Sequence, residues 1–168
     1  MSFGSYGILD SKGDLKRELT EINKLNESLK DQSFWIRGRV HTSRAKGKQV
    51  FLVIRQQIYT IQCIAFLGKN AVTKEMIKYI SQTPRESIVD VKGKVKSVPA
   101  PIEACTQKHI ELDVEEFFIV SQSEAVLPLQ IEDACRSETE VQSEEGLSIR
   151  VNRDTRLGMK DYFEHLTR

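Results

Sequence analysis

The chain has 168 residues, and its 25 lysines and arginines against 24 aspartates and glutamates leave a formal net charge of only +1. No stretch approaches the roughly 18 apolar residues of a membrane span, and the polar N-terminus does not fit a secretory signal. Three cysteines without a C-x-x-C pair favour neither a disulfide framework nor a zinc site. We therefore expect a soluble, intracellular protein with one domain, two appended segments and no membrane contact.

Charge is unevenly distributed along the chain. There are 5 bases and 6 acids in residues 1-32, 14 and 8 in residues 33-122, and 6 and 10 in residues 123-168. No acid occurs from Gln32 to Lys74, which we call the acid-free window. Eight bases lie in it: Arg37, Arg39, Arg44, Lys46, Lys48, Arg55, Lys69 and Lys74. Because bases without interspersed acids keep their field, the window predicts a surface that binds a polyanion.

The first predicted element is an amphipathic helix over residues 14-31, which Asp14 is placed to cap. Apolar residues recur there at helical spacing: Leu15, Leu19, Ile22, Leu25 and Leu29. This stripe either packs against the following domain or contacts a partner protein. Balanced charges make nucleic acid the least favoured of its contacts.

After Gln32 the hydrophobic period changes to two. Five strands are predicted, at 34-42, 50-56, 58-66, 88-98 and 108-121, with a short helix from Thr73 to Gln82 between the third and the fourth. This order predicts a mainly β, five-stranded OB-fold, a Greek-key barrel, over residues 33-122. Residues 1-32 form an N-terminal extension, and the polar residues 123-168 are predicted to be an exposed hinge or linker.

Alternation gives each strand an inner and an outer face. Arg37 and Arg39 point outward in the first strand, and Phe51 and Arg55 do so in the second, while the residues between them point inward. An exposed ring beside guanidinium groups suits single-stranded nucleic acid. Nucleobases stack on the ring, and the phosphates follow the groove that the basic side chains line. The alternative is that Phe51 covers the sheet against another element.

Polar residues on two further strands extend this outer face. Gln62 lies close to Phe51 across adjacent strands, and its amide can both donate to and accept from a base edge. Glu111, Asp113 and Glu115 share one face of the fifth strand. A carboxylate beside a nucleic-acid groove favours specificity, since it accepts from the N–H donors of cytosine or guanine. Only one of the three carboxylates needs this role.

Basic residues also lie between the first two strands. The predicted loop from Thr42 to Gln49 holds Arg44, Lys46 and Lys48, and in OB-folds this loop clasps the bound strand. A second set alternates with apolar residues on the fourth strand and is predicted to be a solvated face: Lys92, Lys94 and Lys96.

Sequence patterns of catalysis are missing. There is no G-x-x-x-x-G-K-S/T loop or G-x-S-x-G elbow, and His41, His109 and His165 have no identifiable catalytic neighbours. The chain is therefore predicted to bind rather than to react, and to hold no metal or cofactor.

Six separated blocks resemble the N-terminal part of eukaryotic cytosolic aspartyl-tRNA synthetases. They are FWIRGRVHTSRAKGKQVFLVIRQQ at 34-57, Ile61-Gln62, ESIVDVKGKV at 86-95, PIEACTQKHIEL at 101-112, LPLQIEDACR at 127-136 and VNRDTRL at 151-157. In that family the region is the OB-fold anticodon-binding domain and the hinge toward a class II catalytic domain. The resemblance implies an aspartate-accepting tRNA as partner. It also implies a cytoplasmic, homodimeric parent enzyme that uses ATP and magnesium for aminoacylation.

The resemblance also assigns roles to residues. Phe51 matches the aromatic on which an anticodon base stacks, Gln62 and Glu111 match groups that read base edges, and Arg44 matches a basic loop residue. The chain carries none of the class II catalytic motifs, so alone it is not expected to make aspartyl-tRNA. Two alternatives remain: an interaction module that joins other proteins of a synthetase complex through the predicted N-terminal helix, and a generic single-stranded nucleic-acid binder.

Overall fold

Five long strands close into a barrel in the computed structural model, which describes residues 2–6 and 17–125. The strands are β1 Phe3–Ser5, β2 Ser33–Lys46, β3 Gln49–Gln56, β4 Tyr59–Phe66, β5 Ile88–Ser97 and β6 Ile110–Ser121, and the helix α1 is Lys74–Gln82. Strands β2, β3 and β4 are successive antiparallel neighbours, β4 runs parallel to β6, and β5 pairs with both β6 and β2. The predicted mainly β OB-fold barrel is confirmed.

The short strand β1 is an element that the sequence did not indicate. It pairs in parallel with β6 at Phe117 to Ile119, beyond the segment Glu111 to Asp113 that pairs with β4. One edge of β6 is thus shared by two strands. Three residues without a long alternating pattern carry too little signal to be recognised as a strand.

The inner faces of the strands form the core that alternation predicts. Leu52 and Ile54 of β3 are fully buried, as is Ile36 of β2. Position 38, between these residues, has to be glycine because no side chain fits there. A Cβ atom at this position would lie 2.5 Å from Ile54 Cγ2 and 2.7 Å from the Arg55 carbonyl oxygen. The close approach of β2 to β3 therefore depends on glycine.

The helix α1 follows the prediction closely. The Thr73 hydroxyl caps it by accepting a hydrogen bond from the backbone N–H of Met76 at 3.2 Å. Met76 and Ile80 are fully buried, and Ile77 packs against the core at its edge. These three side chains lie on one side of the helix, which contacts β2 and β3.

The predicted helix over residues 14-31 is wrong for its described part. Residues 17–31 contain only two 3₁₀ turns, Ile22–Lys24 and Glu27–Leu29. Bonds to the barrel take the backbone groups that a helix would use internally. The N–H of Ile22 donates to Gln56 Oε1 at 2.9 Å, and its carbonyl accepts from Gln107 Nε2 at 2.8 Å.

The apolar stripe of this segment packs against the barrel without being helical. Ile22 and Leu25 are buried in the core, three residues apart, which is the repeat of a 3₁₀ turn. Leu19 forms a bridge with Trp35 and is 41% exposed. Asp14 and Leu15 lie outside the described residues. Residues 126–168, which make up most of the predicted hinge, also lie outside them.

Candidate nucleic-acid interface

The outer face of the barrel brings the predicted site residues of four strands into adjacent rows. In one row Arg44 of β2 pairs with Phe51 of β3, which pairs with Ile64 of β4. In the next row Val53 pairs with Gln62, which pairs with Glu111 of β6. The rows lie side by side because alternate residues of a strand share a face.

The predicted loop from Thr42 to Gln49 is wrong, because most of it is strand. Strand β2 continues to Lys46, β3 begins at Gln49, and only Gly47 and Lys48 form the turn. Gly47 has a φ of +62°, which suits glycine at a two-residue hairpin turn. We call Arg44, Lys46 and Lys48 the hairpin cations.

A β-bulge in β2 explains why alternation failed there. Val40 pairs with Ile54, but the next pair joins Thr42 to Val53, so His41 is an extra residue. Beyond it the even-numbered residues face outward. Arg44 therefore lies on the same face as Phe51, although strict alternation from Arg39 would turn it inward.

Phe51 lies on the outer face, half-buried, with the neighbouring Leu52 fully buried on the other side of β3. Its direct cross-strand neighbours are the cationic Arg44 and the apolar Ile64. The Phe51 ring therefore lies between an apolar and a cationic neighbour in its row of the sheet. Base stacking at this ring remains a prediction.

Gln62 and Glu111 are in contact across the parallel pair of β4 and β6. The amide Nε2 of Gln62 donates to Glu111 Oε2 at 3.2 Å. Because a carboxylate only accepts hydrogen bonds, the amide nitrogen must face it, and this fixes the orientation of the amide. The amide oxygen of Gln62 and the second carboxylate oxygen of Glu111 then form a pair of acceptors for a base that presents N–H donors.

The other two of the three candidate carboxylates, Asp113 and Glu115, have protein partners. Asp113 is buried and forms ion pairs with Lys96 and, at 2.8 Å, with Lys69. Glu115 accepts a hydrogen bond from the Ser33 hydroxyl at 2.9 Å. Burial by itself raises the pKa of Asp113, but the hydrogen bonds from the two lysines outweigh it and hold the pKa below its ordinary value.

Asp113→Asn is expected to lower the free energy of unfolding at pH 7 by about 1–2 kcal/mol, because it removes a buried carboxylate that two ammonium groups surround. A carboxyl whose folded-state pKa is lowered stabilises the fold above its ordinary pKa of 3.8, and this contribution disappears as the pH falls through the folded-state pKa. Urea unfolding of both proteins between pH 7 and pH 2.5 measures the difference, which should shrink below pH 4.

Glu103→Gln is the matched control, because the Glu103–Lys108 ion pair lies on the surface, with the Glu103 side chain 74% exposed. It should change stability much less than Asp113→Asn at every pH, because solvent screens an exposed ion pair. A difference between wild type and Asp113→Asn that stayed constant down to pH 2.5 would contradict the assignment to the Asp113 carboxylate.

Three of the predicted basic site residues lie against two acids from outside the acid-free window, Asp90 and Glu86. Arg37 forms a two-pronged pair with the fully buried Asp90, at 2.6 Å from Nε and 2.9 Å from Nη2, and this contact raises the pKa of Arg37. Arg55 holds both oxygens of Glu86 at 2.9 and 2.7 Å, and Arg39 lies 4.0 Å from the same carboxylate. An acid-free stretch of sequence is thus not acid-free in space.

The hairpin cations differ from these arginines. All three are exposed, and among the described residues none has an ion pair. Among the predicted basic site residues, the positive charge that no contacting acid cancels therefore lies at the β2–β3 hairpin, on the same sheet face as Phe51.

The opposite part of the outer face is covered by the N-terminal segment. The Arg17 guanidinium lies 3.9 Å from the ring centre of Trp35, 4.7 Å from that of Phe118 and 4.9 Å from that of Tyr6. It also lies 3.9 Å from Asp90. Among the described residues, this packing therefore covers the part of the outer face around Trp35 and Phe118.

Phe66 is a further candidate that no sequence pattern singled out. It ends β4 on the face of Gln62, and its side chain is 43% exposed. Alternation along β4 places it there, since it lies four residues after Gln62.

Within residues 2–6 and 17–125, no helix is long and apolar enough to span a membrane, and no group of three His, Cys, Asp or Glu residues is arranged to hold a metal.

Comparisons with known proteins agree with this architecture. A family model described as "OB-fold nucleic acid binding domain" matches residues 34–120. The cytoplasmic aspartate–tRNA ligase of Caenorhabditis elegans is 43% identical over 159 residues, and that of Homo sapiens is 43% identical over 155 residues. Each alignment covers 92% of this chain and 30% of the relative.

Among solved structures, an aspartyl tRNA synthetase from Entamoeba histolytica matches with a TM-score of 0.78 and 29% identity. The match covers 96% of this chain and 36% of that protein. This chain therefore spans about a third of the length of the relatives that it matches.

Proposed function

This chain belongs to the family of OB-fold nucleic acid binding domains, and we propose that it binds the anticodon loop of an aspartate-accepting tRNA. The observation that carries this proposal is the juxtaposition of Phe51, with Arg44 at its side, and the Gln62–Glu111 pair in the adjacent row. A stacking ring and a base-edge reader are the two parts that recognition of unpaired RNA bases requires.

In the proposed mechanism, the three kinds of group act in sequence. The hairpin cations attract the phosphates of the loop, and the bases splay out over β3 and β4. Phe51 stacks one base. Gln62 and Glu111 then accept hydrogen bonds from the N–H groups of a base edge. A base with acceptors at those positions sets them against the second carboxylate oxygen of Glu111, which is unfavourable.

The relatives' names support a wider proposal about the whole protein. We propose that this domain serves a cytoplasmic aspartate–tRNA ligase that attaches aspartate to the bound tRNA, as a homodimer. ATP and magnesium would act in the catalytic part of such an enzyme, and the domain itself would need no cofactor. Capture of complex proteins by the N-terminal stripe is not favoured, because Ile22 and Leu25 are buried in the barrel.

Phe51→Ala tests the proposed function. It should weaken binding of the cognate anticodon stem-loop by about 1–3 kcal/mol, the usual loss when one stacked base loses its ring. Phe51→Tyr, which keeps a ring, should bind nearly as wild type. Fluorescence anisotropy with labelled RNA measures both, and an unfolding curve for each variant confirms that it is folded.

Two controls define what would contradict the proposal. Ile58→Ala changes an apolar side chain that is 77% exposed in the β3–β4 turn, away from the hairpin, and should not alter RNA affinity. Equal wild-type affinity for an unrelated oligonucleotide of the same length would replace anticodon recognition by generic single-strand binding. Unchanged affinity in Phe51→Ala would exclude stacking on that ring.

A further inference from the structure

Phe66 is an exposed aromatic ring on the outer face of β4, the face of Gln62. Three large apolar side chains of the described residues are notably exposed, Leu19, Ile58 and Phe66, and only Phe66 is aromatic. Its neighbour Ala65 is fully buried on the inner face of β4, so Phe66 points to the outer face. Within the described part of the chain, the Phe66 ring is thus partly open to solvent.

The strand register places Phe66 close to Phe51. Phe51 pairs with Ile64, and Phe66 lies two residues farther along the same face of β4. Such diagonal neighbours across a sheet lie about 7–8 Å apart, within reach of aromatic side chains. This spacing is about twice the roughly 3.4 Å rise per nucleotide of a stacked strand. Two rings at this spacing can hold two bases of a loop that has opened.

Positive charge surrounds Phe66 on the hairpin side. Phe66 pairs with Gln49, which pairs with Lys46 in the same row. The backbone carbonyl of Lys48 accepts a hydrogen bond from the N–H of Leu67, directly after Phe66, at 2.9 Å. Both lysines are exposed, so phosphates of a strand that crosses Phe66 would meet two cations.

This setting suits a base better than a protein surface. The cross-strand neighbours of Phe66 in its row are polar or charged, whereas the centre of a protein interface is depleted of lysine. A single ring among cations matches the stacking platforms that hold unpaired nucleic acid, where an aromatic face binds the base and the cations bind the backbone.

We propose that Phe66 is a second base-stacking residue, which binds the loop base next to the one on Phe51 and extends the RNA site along β4 to the hairpin. This inference rests on the proposed function, since it needs the same RNA on the same face. The ligand class is an unpaired RNA base. The alternative occupant of the ring is a protein surface.

The test compares Phe66→Leu, which keeps an apolar side chain without the ring, with Phe66→Trp, which enlarges the ring. In the full 168-residue chain, Phe66→Leu should bind the anticodon stem-loop about 5- to 150-fold more weakly, and Phe66→Trp should bind at least as tightly as wild type. Ile58→Ala is the matched exposed control and should bind as wild type.

Abasic substitutions then identify the base. In RNAs with one loop nucleotide made abasic in turn, one position should remove the difference between wild type and Phe66→Leu, and a different position should remove that between wild type and Phe51→Ala. Phe66→Leu binding like wild type, while Phe51→Ala binds weakly, would overturn this inference and leave the proposed function intact.

Two further outcomes also decide the matter. A loss in Phe66→Leu that persists with every abasic RNA would overturn stacking and favour a protein-facing or structural role for the ring. Failure of the wild-type chain to bind the stem-loop at all would overturn both the proposed function and this inference.

Discussion

Replacing all three hairpin cations, Arg44, Lys46 and Lys48, with alanine is expected to weaken binding of the anticodon stem-loop by about 100-fold at 0.1 M salt. Each phosphate contact on single-stranded nucleic acid contributes about 0.7 to the slope of log affinity against log salt, so three contacts contribute about 2. The cations are exposed and, among the described residues, have no ion pair, so each can meet a phosphate without first leaving a protein acid. Titrations between 50 and 300 mM salt measure the slope.

The matched control removes a cation that is already paired. In the double variant Arg55→Met, Glu86→Gln the bidentate contact at 2.9 and 2.7 Å is lost together with both charges. The salt slope should stay within about 0.3 of wild type, because the net charge of the face does not change. A slope that fell as far in this control as in the triple variant would show that the hairpin is not the centre of attraction.

Local alternation was sufficient to predict the barrel and the outward direction of Phe51 and Gln62. Period two is a property of consecutive residues, so a sequence displays it directly. The bulge at His41 is different. One extra residue reverses the faces of everything after it, and no composition signal marks it. Arg44 was therefore predicted to lie in a loop, whereas it lies on a strand opposite Phe51.

Contacts between distant residues limited the prediction of charge. Glu86 neutralises Arg55 from 31 positions away, and Asp90 neutralises Arg37 from 53 positions away. The acid-free window describes neighbours along the chain, but the field at a surface depends on neighbours in space. Cations with and without an ion pair look alike in a sequence. Only the fold therefore shows that the hairpin cations, rather than Arg37, are free to bind phosphates.

The N-terminal segment shows the same limitation for backbone bonds. Helical spacing placed Ile22 and Leu25 on one apolar face, since positions three apart share a face in a 3₁₀ turn as well as in an α-helix, and the structure buries both in the barrel. Which turn forms depended on Gln56 and Gln107, whose amides satisfy the backbone of Ile22. Tertiary partners of this kind override weak helix propensity.

Arg37→Met is expected to lower the free energy of unfolding by about 3 kcal/mol, the lower end of the range for removing one partner of a buried ion pair. Asp90 is fully buried, and without Arg37 its nearest cation is Arg17, 3.9 Å away and too far for a hydrogen bond. The Arg37 side chain is 37% exposed, so its own loss of charge costs less than the carboxylate left behind. Urea unfolding with linear extrapolation measures the change.

The double variant Arg37→Met, Asp90→Leu separates a structural role of Arg37 from a role in binding. Replacing a buried pair by apolar side chains of similar volume is often neutral, so the double variant should recover most of the stability that Arg37→Met loses. It removes one charge of each sign, and its RNA affinity should stay within about twofold of wild type, unlike that of the hairpin variant. A double variant that was folded and stable but bound RNA tenfold more weakly would contradict this expectation. Arg37 would then have to contact the RNA despite its bond to Asp90. The division of the arginines and lysines into paired and hairpin groups would be wrong.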